Sequence, residues 1–112
     1  MLLLAQLVVD PMLLRPVGDF VFVGKTEPLP IVEILSLDSE ATRKQIDLAE
    51  RFTQAMERFR AGNWRSAATL FRSILKDYPQ DGPSRFYATQ CQQRLQAESL
   101  PDDPWIINMD RK

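Results

Sequence analysis

The spacing of hydrophobic positions changes character once along the chain, near Leu37. Ahead of that point, Val17–Val23 and Leu29–Leu37 are short apolar runs that predict two strands. Gly24-Lys25-Thr26-Glu27-Pro28 between them supplies the glycine and proline of a hairpin connection. Pro30 falls at the start of the second strand, where a missing amide donor is tolerated most easily on an edge. Val17, Val21 and Val23 share one parity and Phe20 and Phe22 the other, so the first strand is apolar on both faces. Such a strand calls for cover on both sides, and two strands alone are marginal in water. Leu2–Val9, further upstream, reads as a short buried helix stopped at Asp10-Pro11, because a residue before proline disfavours helical dihedrals.

Beyond Leu37 the period becomes helical. Ile46, Ala49, Phe52, Met56 and Phe59 fall on one stripe, with Asp38 or Ser39 placed to cap the helix and Glu40 in its first turn. Arg58 and Arg60 suit the negative end of its dipole, and Gly62 ends it. Asn63 can cap a second helix whose buried face is Trp64, Ala67, Ala68, Phe71, Leu75 and Tyr78, stopped by Pro79. Gly82-Pro83 opens a third helix running to Gln96, with Tyr87, Ala88, Cys91 and Leu95 in line. The expected packing is an antiparallel pair with the third helix stacked on it. In the tail, Leu100-Pro101-Asp102-Asp103-Pro104 is a polar linker, and Trp105-Ile106-Ile107 with Met109 predicts an end that folds back and docks. The fold class is therefore α+β: a short N-terminal helix and β-hairpin over 1–37, three helices over 38–98, and a docked tail over 99–112.

Composition narrows the chemistry. A chain of 112 residues with 45% hydrophobic and 26% charged residues supports one ordinary globular domain or two small subdomains sharing a core. A net charge of −1 provides no field for nucleic acid or acidic lipid, so neither nucleic acid nor direct membrane contact is expected. Cys91 is the single cysteine and histidine is absent, which removes internal disulfides, multi-cysteine zinc sites and imidazole-dependent catalysis. The apolar opening Met1–Asp10 lacks a basic start and a small-residue cleavage site, and is shorter than the ~20 residues that span a bilayer. A cytoplasmic location follows as the expectation.

Gly62, Trp64, Ala67, Phe71 and Pro79 resemble the central part of a tetratricopeptide repeat. Each has a mechanical reason: the glycine allows the turn, the alanine lets helices approach, the phenylalanine fills the groove and the proline ends the second helix. Ala55 is a plausible small residue on the first helix, which otherwise lacks the tryptophan, leucine and tyrosine of the motif. The match covers about one and a half repeats, below the ~3 that repeat arrays need.

The stretch Leu14-Arg15-Pro16-Val17-Gly18-Asp19-Phe20-Val21-Phe22-Val23-Gly24-Lys25-Thr26-Glu27-Pro28-Leu29-Pro30-Ile31-Val32-Glu33-Ile34-Leu35 is similar to the last two strands of the class III adenylate/guanylate cyclase catalytic domain. Asp81-Gly82-Pro83-Ser84 and Trp105 resemble the helical tail that follows this domain in bacterial members. The resemblance implies a C-terminal regulatory or interaction segment of a cyclase-like signalling protein, partnered by the remainder of a catalytic domain or by a second copy. It also implies that the intact protein could be attached to a membrane-anchored sensor. Mg or Mn and ATP or GTP would belong to the intact enzyme only. The family's metal-binding aspartates and transition-state residues lie upstream of this hairpin and have no counterpart before Leu14, and Val23 stands where the phosphate-contacting lysine precedes the glycine. The chain alone is therefore expected to be inactive, with no catalytic and no metal-binding residue. The alternative is a free-standing adaptor of tetratricopeptide type.

Among single residues, Lys25 matches the second basic residue of the cyclase turn and is the candidate for a phosphate contact, although a turn lysine is solvated by default. Cys91 lies on an apolar stripe and reads as packing. Asp102-Asp103 have no basic partner nearby and read as linker, and Arg65, Arg72 and Lys76, with Asp77 and Asp81 close by, read as a solvated mixed-charge face.

Overall fold

The first strand of the expected hairpin is the middle of the sheet. In the computed structural model, which describes residues 8–9, 12–36 and 42–109, strand β2 (Met12–Val21) pairs antiparallel with β3 (Leu29–Ser36). On its other edge β2 pairs antiparallel with β1 (Val8–Val9) and, further along, parallel with β4 (Ile106–Asn108). Three helices, α1 (Arg43–Arg60), α2 (Trp64–Asp77) and α3 (Gly82–Gln96), lie between β3 and β4 in the chain. The fold is α+β, and the tail docks as a strand.

Two expectations at the front are corrected. Val8–Val9 form a strand rather than the end of a helix, and residues 2–7 of that helix lie outside the described residues. Two adjacent β-branched valines opposite Met12 and Leu13 suit a pleated backbone better than a helical one. Strand β2 begins at Met12 instead of Val17 and runs through Pro16. It can do so because the register shifts between Pro16 and Gly18, a bulge at which a missing donor is tolerated. Gly18 takes φ +125°, a value that favours glycine.

Helix α1 is capped by Thr42, not by Asp38 or Ser39, which lie outside the described residues. The Thr42 hydroxyl accepts from the Gln45 amide at 3.1 Å, and the Gln45 side chain accepts from the Thr42 amide at 2.8 Å. This is a capping box. The Gln45 amide group also donates to the Leu35 carbonyl at 2.7 Å, fixing the start of α1 against β3. At the other end Gly62, with φ +80°, donates to the Phe59 carbonyl and turns the chain into α2. Helix α3 spans the range expected, with the Asp81 carboxylate accepting from the Ser84 amide as its N-cap.

The core is aromatic. The Tyr87 ring lies 4.9 Å from Phe59, 5.6 Å from Phe71 and 6.0 Å from Phe52, centroid to centroid, so α3 presents one ring to both α1 and α2. Ala55 and Ala67 are fully buried beside these rings. Two stripe positions are exposed against expectation: Ile46 in the first turns of α1 and Leu95 near the end of α3, where the stripe runs past the packed region. Ile74 is buried where Leu75 was expected, a one-residue phase difference that keeps the same face inward. Ile107 of β4 is buried in the same cluster. Leucine at position 67 therefore has no free volume. Ala67→Leu is expected to cost about 1–3 kcal/mol by overpacking, read as a lowered urea midpoint with retained helical circular dichroism.

Candidate functional site

Sheet and helices are joined by a buried arginine. Arg15, on β2, is 1% exposed, and its guanidinium lies over the Phe52 ring at 4.7 Å from the centroid. Its Nη1 donates to Asp81 at 2.8 Å, its Nε donates to Glu33 at 3.1 Å, and its Nη2 also donates to Glu33. Glu33 stands directly across from Arg15 on β3, whereas Asp81 is the N-cap of α3. One side chain thus links both strands of the hairpin to the third helix. Burial alone would raise the Asp81 pKa, but the bonds from Arg15 and Ser84 outweigh it and hold the carboxyl below its ordinary value. Nothing in the apolar pattern of Leu14–Val23 marks Arg15 as buried. The signal available was the opposite charge at Glu33, in register on the neighbouring strand.

The sheet has two unlike faces. Toward the helices it turns Leu13, Arg15 and Val17 of β2, with Leu35 of β3 beside Leu13. On the opposite face Leu14 pairs with Ile34 and Pro16 with Val32. Val32 is 48% exposed and Ile34 50%, so this outer face is apolar and open among the described residues. Among the described residues, helices cover the hairpin on one side only. Strand β3 also has no second strand partner among the described residues.

Lys25 sits at the exposed tip of the hairpin, next to Gly24 at φ +80°, and its amide donates to the Phe22 carbonyl to close the turn. Gly62, Trp64, Ala67, Phe71 and Pro79 fall in the α1–α2 turn, the core of α2 and the residue after its C-cap. Lys25 lies apart from them in the chain, in the turn between β2 and β3. Trp64 packs edge-on against Phe59 at 5.0 Å, and the Pro79 carbonyl accepts from Arg85 at 2.6 Å. Among the described residues, no group of three or more His, Cys, Asp or Glu is arranged to hold a metal ion. No helix among them is long and apolar enough to cross a membrane.

Cys91 is fully buried, and burial pushes its thiol up to about 11. A thiol in that state is a poor nucleophile. Cys91 is expected to react with Ellman's reagent at mildly alkaline pH only when the protein unfolds; fast reaction in native buffer would show that α3 does not pack as described.

No protein-family model, no curated protein and no solved structure matches this chain.

Proposed function

We propose that this chain is a non-catalytic interaction segment, the C-terminal part of a nucleotide cyclase-like signalling protein, whose hairpin completes a larger sheet and whose helices transmit or receive contacts. The observation that carries this reading is the apolar face of Leu14, Pro16, Val32 and Ile34, open among the described residues, beside the edge of β3 that pairs with no second strand among them. An apolar face next to an unpaired edge is what a sheet offers when further layers and strands belong to it. The Arg15 linkage supports the coupling role, because its buried bond to Asp81 ties β2 to the cap of α3. A second reading, the free-standing adaptor, draws on the tail: β4 occupies the other edge of β2 and Ile107 closes the core from within the chain.

Sedimentation and binding of a hydrophobic dye separate the two readings. The purified chain is expected to self-associate and bind dye. Val32→Lys/Ile34→Lys should abolish both with little change in unfolding midpoint, as exposed substitutions change stability by only about 0.5 kcal/mol. A monomeric, dye-negative wild type would favour the adaptor. With Mn²⁺ and ATP or GTP, the chain alone should form no cyclic nucleotide above background; turnover would overturn the non-catalytic assignment.

A further inference from the structure

On the side of the sheet away from the β3 edge, the hairpin turn, α3 and the tail enclose a groove of about 750 Å³. Its apolar surface is Val21 at the end of β2, Phe86 on α3, and Ile106 and Met109 of the tail. Phe86 and Met109 are 37% and 47% exposed, large apolar groups left at the surface where burial would be favourable. The volume lies within the ~300–1,000 Å³ of ordinary ligand sites, and a few polar groups, Gln90, Gln93 and Thr26, line it.

The charges in the lining are Asp102, Asp103 and Arg94. Arg94 is already committed. Its Nε donates to the Pro104 carbonyl at 2.8 Å and its Nη1 to the Gln90 side chain at 2.5 Å. Its guanidinium lies over the Phe59 and Trp64 rings, 5.1 and 5.8 Å from their centroids, on the core side. Asp102 and Asp103 are exposed. The turn that presents them is held by the Ile106 amide donating to the Asp103 carbonyl at 3.1 Å. Among the described residues, the groove thus offers apolar contact with an acidic rim, and the one cation in its lining faces inward.

We propose that this groove docks a short extended segment of a partner protein carrying lysine or arginine among apolar residues. The apolar side chains of the segment cover Phe86 and Met109, and its cation meets Asp102 and Asp103. The inference does not rest on the cyclase-like reading, because it uses none of the outer sheet face. It places a second contact surface on the side of the molecule where the tail closes the sheet.

The test uses the full chain and a fluorescein-labelled hexapeptide alternating leucine with lysine, followed by fluorescence anisotropy, with the leucine–glutamate hexapeptide as comparison. The lysine peptide is expected to bind saturably and the glutamate peptide not to bind. Asp102→Asn/Asp103→Asn should weaken binding about fivefold, the scale of two exposed ion pairs. Asp102→Lys/Asp103→Lys should abolish it, and Met109→Ser should weaken it. These positions are exposed, so the variants should keep the wild-type circular dichroism. Glu50→Gln/Glu57→Gln on α1, outside the groove lining, should bind as wild type. Equal binding of both peptides, or binding unchanged in the Asp102→Lys/Asp103→Lys variant, overturns the proposal. Unchanged binding in Val32→Lys/Ile34→Lys is expected, and its loss there would move the site to the outer sheet face.

Discussion

Alanine at position 18 is expected to destabilise the protein by about 3 kcal/mol, from backbone strain and a displaced buried hydroxyl together. A Cβ on Gly18 would lie 1.9 Å from the Tyr87 hydroxyl oxygen and 3.1 Å from the ring carbon that bears it. That hydroxyl cannot simply swing away, because it donates to the Val17 carbonyl at 2.7 Å and its ring is packed among Phe52, Phe59 and Phe71. At φ +125° the backbone of residue 18 adds strain for any side chain. Urea unfolding measures the loss. A double-mutant cycle with Tyr87→Phe separates its parts: the hydroxyl clash disappears in that background and the strain remains, so the two changes should be non-additive. A Gly18→Ala midpoint within experimental error of wild type would mean that the bulge does not bring β2 against Tyr87.

The helices were legible because their punctuation is chemical. Gly62 and Pro79 mark turns, and Asp81-Gly82-Pro83-Ser84 contains both an N-cap acceptor and a proline suited to a first helical turn. The capping box was equally present, as Thr42 followed three residues later by Gln45, but Asp38 and Ser39 compete for the same role upstream and sequence offers no way to rank them. The start of β2 was hidden by the opposite effect. Pro16 is an ordinary strand breaker, and a bulge paired with a glycine at positive φ makes it tolerable. The two apolar parities of Val17–Val23 do not translate into two faces of one strand: Val17 and Phe20 both pack against the helical core, and Phe22 and Val23 lie exposed beyond the end of β2. The tail was expected to dock, but its pairing as a strand on β2 was not, since Ile106–Asn108 is too short to carry a period. The groove escaped notice because Asp102 and Asp103 read as linker until the tail folds back and sets them beside Phe86. Arg15 escaped for a related reason: its partners are 18 and 66 residues away, and a charged residue in an apolar run has no local sign of burial.

Replacing that arginine should have the largest effect of all. Arg15→Met keeps much of the apolar stem over Phe52 but removes the cation, and truncating one partner of a buried pair typically costs about 3–5 kcal/mol. The cost falls mainly on Asp81, whose side chain is 8% exposed, since Glu33 at 44% can turn to water. Asp81→Asn in the same chain should recover part of the loss, because the amide still accepts from Ser84 without an uncompensated charge. The pH dependence distinguishes a charge effect from a packing effect. In the wild type the Asp81 pKa lies below its unfolded value of about 4, so its stabilisation is fully present above that pH and is lost as pH falls through the folded value. Without Arg15 the main group lowering that pKa is gone and burial now raises it, so the sign inverts: the variant should gain relative stability as acid neutralises the carboxyl. Unfolding free energies of the two proteins are therefore expected to converge toward low pH. A gap between them that stays constant from neutral pH to pH 3 would mean that Arg15 acts through the packing of its stem, and that the sheet is not tied to α3 by charge.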